Sequence, residues 1–425
     1  MNFAALTIYG FGHFGKSLLW LSSVLIFAFY LTEVAGFAPE RMGWVLALSM
    51  VVNAACDWLI GRGLGRHVTT VRSATRLQLA GSVIAGTCFV AFAQTAAINA
   101  DWRTAYAIAT LVLFRMGYSL YDVPQNTMMG LVVGNDGDRS QIAAARYAAA
   151  GLANIVVTLC LSVWLVQIEG PYRETAFAAV SVVYAGLAIG SALLVTRHFS
   201  QTPTRAEPAR APAPADDAIQ PARESVHLPP VLAFGSILIY STLMPVFTEL
   251  KAYFAAFAFA PGAGATAFLL SSALGQVLAQ PLWARVGRRR ALVSLYRLAA
   301  LAVIGAGASF ALLGMAGVPW VLMAAFVFGA ASSGLLMAIW SIMGHVAGLD
   351  PGRAMARFGQ FTSCSKLAQA AAIMMIGQIL ALSDYRTGTL DLIVAVMAGA
   401  AVLTGTLCFV FSLQTRGRTI PIQPG

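Results

Sequence analysis

The sequence predicts an all-α membrane protein of twelve transmembrane helices arranged in two six-helix bundles. Three observations predict it: a composition poor in charge, apolar runs of spanning length along the whole chain, and one break in their recurrence near the middle. Hydrophobic residues make up 59% of the 425 residues and charged residues 10%. Soluble domains carry roughly 25% charge, so most of this surface must face lipid. The 39 glycines suit close helix packing in a bilayer.

Taken in order, the first run covers residues 6–33. It has no small-residue cleavage site and continues past residue 30, so it reads as a retained helix rather than a signal peptide. Runs at 41–61, 75–97, 104–134, 142–168 and 174–197 follow, separated by short polar loops. The 104–134 run is long enough to tilt or to extend past the bilayer. Residues 199–229 then break the pattern. They are rich in Pro and Ala, carry Asp216, Asp217, Arg205, Arg210 and Arg223, and cannot bury a core. Six more runs follow at 230–258, 264–285, 291–315, 319–347, 356–382 and 389–413. The expected organisation is a bundle over 1–198, a flexible linker over 199–229, a second bundle over 230–415 and a tail over 416–425.

The net charge of +10 does not point to nucleic acid, because the charges sit in loops between apolar runs. Alternate loops differ in sign. One set holds Arg62, Arg66, Arg72, Arg76, Arg139, Arg197, Arg205, Arg210, Arg223, Arg285, Arg288, Arg289, Arg290, Arg353, Arg416 and Arg418. The other holds Glu33, Glu40, Arg41, Asp101, Arg103, Glu169, Arg173, Glu174, Asp384 and Arg386. By the positive-inside rule the first set is cytoplasmic. Both termini and the linker are then cytoplasmic, in the plasma (inner) membrane. The halves echo each other: Asp57-Trp58-Leu59-Ile60-Gly61-Arg62 and Gln280-Pro281-Leu282-Trp283-Ala284-Arg285 each end the second span of a half before a basic loop. Six plus six with a cytoplasmic linker is the layout of major facilitator transporters. The five cysteines match no metal or disulfide spacing and read as packing residues.

Ionisable residues inside spans cost roughly 2.5–3.5 kcal/mol on insertion scales, and those retained usually line a cavity. Here they are Lys16, Asp57, Arg115, Asp122, Arg146, Arg297 and Lys366. Helical spacing organises them. His13, Lys16 and Ser17 share a face of span 1, and Asn53 and Asp57 a face of span 2. Arg115, Ser119, Asp122 and Asn126 form one stripe on span 4, and Thr362, Lys366 and Gln369 share a face of span 11. The competing reading is that each charge merely staples two helices, Asp57 to Lys366 for instance. Arg297 is near a span end and can snorkel. Glu249 and Lys251 are read as interfacial, near the outer end of span 7.

These residues resemble the glycoside–pentoside–hexuronide:cation symporters, the family of melibiose permease. Tyr9-Gly10-Phe11-Gly12-His13-Phe14-Gly15-Lys16 resembles the family's opening segment, and Tyr118-Ser119-Leu120-Tyr121-Asp122-Val123-Pro124 its span-4 segment. Ala145-Arg146-Tyr147 and Lys366 resemble its span-5 Arg and span-11 Lys. The resemblance implies a cation-coupling site at Asp57 and Asn53 with Cys56 and Ser119 beside them. The family has a second acid where Asn53 stands. One acid fewer and a Cys suit H⁺ better than Na⁺, which wants several hard oxygen ligands. No cofactor is implied beyond that coupling ion, and no metal beyond Na⁺ at the same site.

The resemblance also implies solute contacts at Lys16, Ser17, Asp122, Asn126, Arg146, Trp340 and Lys366. Ser17 replaces an acid of the family, Asn126 an aromatic, and Gly344-His345-Val346-Ala347-Gly348 an acidic stretch after span 10. Lys16, Arg146 and Lys366 then outnumber Asp57 and Asp122, which favours an anionic solute such as a hexuronide. His13 is a candidate for titration near neutral pH. The expected function is cation-coupled symport of a sugar, glycoside or uronate-like solute by a monomer in the lipid bilayer. An amphiphile or lipid as cargo is the alternative, and a non-transporting membrane sensor a remote one. No catalytic motif supports an enzyme.

Overall fold

The computed structural model describes residues 3–63, 70–131, 136–167, 172–199, 229–260, 262–348, 354–387 and 390–414. Nearly all of the expected linker (200–228), the tail (416–425) and the loop arginines Arg66, Arg353, Arg416 and Arg418 lie outside these residues. The described residues fold into thirteen α-helices and short helical turns.

Chain order gives α1 (Phe3–Leu25), α2 (Phe27–Glu33), α3 (Pro39–Gly63), α4 (Val71–Phe92), α5 (Ala100–Leu131), α6 (Asp136–Cys160) and α7 (Tyr172–Phe199). After residues 200–228 come α8 (Pro230–Ala258), α9 (Ala263–Arg289), α10 (Leu292–Leu313), α11 (Val318–Gly348), α12 (Ala354–Leu382) and α13 (Asp391–Gln414). Among the described residues, ten helices are long and apolar enough to cross a membrane. An eleventh span is α1 with α2, one run bent by 46° at Ile26. The twelfth expected span is α5, which at 32 residues is about 48 Å long at 1.5 Å per residue. Its Arg115, Asp122 and tyrosines make it more polar than a span that faces only lipid.

Local chemistry sets the ends. Thr70 caps α4: its hydroxyl accepts from the Ser73 backbone N–H at 3.1 Å, and Ser73 closes a capping box. Pro230 stands at the first position of α8, where its missing N–H costs nothing. Gly36, with φ +71°, turns the chain between α2 and α3 in a conformation that disfavours other residues. The first turn of the α6 extension, Leu161–Val166, is a π-helix, closed by Gln167 N–H donating to the Ser162 carbonyl at 3.2 Å.

Packing repeats with an offset of six spans. α1 lies on α6 and α7, and α8 lies on α12 and α13. α3 packs on α5 as α9 packs on α11, and α4 on α7 as α10 on α13. The two bundles meet where α3 runs along α12 and α6 along α9. Asn154 of α6 donates to Gln276 of α9 at 2.9 Å, and Ser162 donates to Thr266 at 2.7 Å.

The face that carries Glu33 is closed between the bundles. Thr32 and Tyr253 share a hydrogen bond at 2.9 Å, and Phe29 packs on the Tyr253 ring. Glu33 accepts from the Tyr385 hydroxyl at 2.7 Å and from Arg386 at 3.0 Å. Tyr385 lies in the turn before α13. Burial, and then the Glu33 charge, pushes its phenol above the ordinary range.

Glycine at α4–α5 is a steric requirement. A Cβ on Gly117 would lie 2.6 Å from the Ala85 backbone N and 2.7 Å from Ile84 Cγ2. Gly117→Ala is expected to destabilise the protein by about 1–3 kcal/mol through overpacking. Thermal unfolding of the detergent-solubilised protein measures this as a lowered Tm.

Candidate functional site

Two buried ion pairs organise the centre. In the first, Lys16 of α1 donates to Asp122 of α5 at 2.6 Å and to the Asn126 side-chain carbonyl at 3.3 Å. Asn126 in turn donates to the same Asp122 oxygen at 3.0 Å, one helical turn away. Arg146 of α6 is in electrostatic reach of Lys16 and Asp122, and also of Tyr9 and His13. Two cations and one acid therefore meet at α1, α5 and α6.

In the second, Asp57 of α3 accepts from Lys366 of α12, so the pair joins the two bundles. Asp57 also accepts from Ser119 at 2.7 Å, and Ser119 accepts from Asn53 at 2.7 Å. The sequence-predicted cation-coupling residues Asn53, Asp57 and Ser119 are thus one hydrogen-bonded chain. Cys56 adjoins it, half-buried. Ser363 of α12 donates to the Ala54 carbonyl at 3.0 Å and fixes α12 at this level of α3.

The pairs differ in access. Asp57 is 1% exposed, whereas the Asp122 side chain is 17% exposed. Asp122 is thus the more accessible of the two acids, and Asp57 is buried beside Lys366.

Aromatic rings join the two levels. Trp20, one turn after Lys16, stacks on Tyr118, one turn before Asp122, with centroids 5.4 Å apart. The Lys366 ammonium lies 5.4 Å from the Trp20 ring centre and 6.0 Å from that of Tyr118, within cation–π range. Neither ring was among the expected site residues. Their i, i+4 spacing from Lys16 and Asp122 was the available signal.

Above this level Arg115 is fully buried. It donates to Ser23 at 2.9 Å and to Ser49 at 3.4 Å, and its guanidinium lies 5.7 Å from the Trp20 ring centre. The remaining expected residues stand apart from the pairs. Ser17 is buried on α1. Trp340 of α11 lies against Phe358 and Phe361, with centroids at 6.4 and 5.0 Å, and is not joined to either pair by a described contact.

Glu249 and Lys251 correct the sequence reading. Both are buried within the protein, at 5% and 2% exposure, and neither faces water as a group at the membrane surface is expected to. Counting residues from the helix end placed them near water, but α8 is covered there by α2 and by the turn at Tyr385. Among the described residues no group of His, Cys, Asp or Glu is arranged to hold a metal ion.

The chain is thus a multi-pass helical bundle with paired charges at its centre and one face closed between its halves. The chain belongs to the family described as MFS/sugar transport protein, which it matches over residues 8–415. The resemblance carried by Tyr9–Lys16 and the Asp122 segment is borne out. "Uncharacterized symporter YjmB" of Bacillus subtilis (strain 168) is 21% identical over 183 residues, 43% of this chain and 39% of that protein. "Putative glycoside/cation symporter YagG" of Escherichia coli (strain K12) is 24% identical over 150 residues, 35% of this chain and 33% of that protein. The matched stretch spans less than two-fifths of the length of each of these relatives. Among solved structures, the nucleoside transporter NupG superposes with a TM-score of 0.64 at 14% identity, over 97% of this chain and all of that one. A POT peptide transporter in complex with alafosfalin gives 0.65 at 13%, over 98% of this chain and 96% of that one. At such identities the superpositions establish the major facilitator fold.

The Asp57–Lys366 pair sets a stability prediction. Lys366→Ala leaves Asp57 as an uncompensated buried charge and is expected to cost about 3–5 kcal/mol. The double variant Asp57→Ala/Lys366→Ala is expected to lose less than Lys366→Ala alone. Denaturant unfolding of the wild type, the two single variants and the double variant measures the coupling, and equal losses for Lys366→Ala and the double variant would contradict it.

Proposed function

We propose that the protein is a cation-coupled symporter of a sugar, glycoside or uronate-like solute, with H⁺ favoured over Na⁺. One observation carries this reading: Asp57, sealed inside α3, takes its positive charge from Lys366 of the opposite bundle. A single carboxylate has two claimants, the lysine and a coupling cation. When H⁺ neutralises Asp57, Lys366 loses its partner and becomes a donor for a hydroxyl or carboxylate of the solute. The same event loosens one tie between the bundles. Cation binding and solute affinity are thereby linked in both directions.

Asp57 with Asn53, Cys56 and Ser119 forms the coupling site. Asn53, Ser119 and a thiol supply few hard oxygens, which supports H⁺ over Na⁺. Lys16, Ser17, Asp122, Asn126, Arg146 and Lys366 form the solute site, with Trp340 as a ring contact reached on closure. The excess of basic groups around Asp122 supports an anionic solute. The segments 1–198 and 230–415 rock as units joined by 199–229. The basic loops support a cytoplasmic linker and cytoplasmic termini in the inner membrane, which makes the face closed at Glu33 the external one. A monomer suffices, and neither nucleic acid nor a cofactor takes part.

Uptake into proteoliposomes tests the reading. Labelled glucuronate and methyl glucosides are offered under imposed H⁺ or Na⁺ gradients, with a lysophospholipid as the amphiphile arm. Accumulation driven by H⁺ is expected for a sugar or uronate. Asp57→Asn is expected to abolish accumulation and to retain exchange without a gradient. Normal accumulation by Asp57→Asn would overturn the coupling role, and uptake of the lysolipid alone would overturn the solute class.

A further inference from the structure

Glu249 is a buried acid without a fixed counter-charge. It lies on α8 at 5% exposure, and among the described residues no ion pair or hydrogen bond holds its carboxyl. Arg115 of α5 is a buried base with an open donor: Nε and Nη1 bond Ser49 and Ser23, while Nη2 has no partner. Arg115 is the charge that acts on Glu249, and Glu249 and Asp57 are the two carboxylates that act on Arg115. One bundle thus holds a donor lacking an acceptor, and the other an acceptor lacking a donor.

The other charged groups near α8 are engaged or distant. Lys16 of α1 is held by Asp122, Lys366 of α12 by Asp57, and Glu33 of α2 by Tyr385 and Arg386. His13 of α1 sits beside Lys16 and Arg146. His345 of α11, Arg285 and Arg289 of α9 and Arg357 of α12 lie at the ends remote from Glu249, and Asp391 is in the first turn of α13. On α8 itself, Lys251 is two residues on and so points roughly 200° away. Tyr253, one turn on, is bonded to Thr32.

We propose that Glu249 is a proton-binding site whose proton is exchanged for a bond to Arg115 when the two bundles move. A carboxylate that is largely buried and has no fixed partner is costly, so the group remains neutral until a partner arrives. Pro245, one turn before Glu249, removes the helix bond to the Ser241 carbonyl and lets this part of α8 swing. Approach to Arg115 breaks the carboxyl O–H, sends the proton to water, and leaves a carboxylate that accepts from Nη2. Arg115 keeps its own protons throughout, since a guanidinium does not deprotonate in proteins. This second titrating acid is separate from Asp57 and lies on the opposite bundle. Its transport consequence rests on the symport reading, but its protonation does not.

Infrared difference spectroscopy of the full-length protein in lipid, between neutral and alkaline pH, tests the site without any solute. The wild type is expected to show a protonated-carboxyl C=O band at neutral pH that disappears as pH rises. Glu249→Gln is expected to lose that band. Arg115→Gln, which removes the cation favouring ionisation, is expected to shift its midpoint to higher pH. A band unchanged in Glu249→Gln, or a midpoint unmoved in Arg115→Gln, overturns the proposal. Should Glu249→Gln not fold, Glu249→Asp carries the test: a displaced band supports the site and an unmoved one overturns it. Failure here leaves the symport reading standing, and failure of uptake leaves this site standing.

Discussion

A charge carried into a bilayer must be answered by another charge or by a proton, and the interior of this protein is arranged around that demand. Lys16 answers Asp122 within one bundle, and Lys366 answers Asp57 between bundles. The difference between the two pairs is mechanical. A bond within a bundle stiffens a unit, whereas a bond between bundles sets how the units sit relative to each other. Burying an ion pair is weak evidence for stability, since an apolar replacement of similar shape often does as well. What the second pair adds is one point of attachment between the bundles.

The polar chain Asn53–Ser119–Asp57 leaves Asp57 little freedom. Ser119 fixes one carboxylate oxygen, and Lys366 takes the other. Trp20 and Tyr118 flank the lysine with ring faces, which hold a cation in place without neutralising it. Lys366 is therefore supported whether or not Asp57 is charged. Arg115 repeats the device one level away, with Trp20 and Phe114 beside its guanidinium.

The spans were legible because apolar runs of about 20 residues are required by bilayer thickness. The stripe from Arg115 to Asn126 was legible because steps of three and four mark one helix face. Which residue answers which charge was much less so. Asp57 and Lys366 are 309 positions apart, and sequence spacing could offer their union only as one alternative. The bend at Ile26 has neither Pro nor Gly to announce it. Glu249 and Lys251 were misplaced because distance from a helix end is a poor guide to depth when another element covers that end. The rings of Trp20 and Tyr118 were hidden for a different reason: aromatics are common in membrane helices, and only contact with a lysine from the other bundle gives these two a task.

The π-helical turn at Leu161–Val166 has a consequence of its own. In an ordinary α-helix, residues five apart point in different directions. In a turn closed from i to i+5 they come nearly into line. Ser162 and Gln167 are five apart, and both donate to the hydroxyl of Thr266 on α9. The wider turn lets Ser162 and Gln167 reach the same hydroxyl. The alignment of the two bundles along α6 and α9 is thus partly written in backbone winding, where no single side chain carries it.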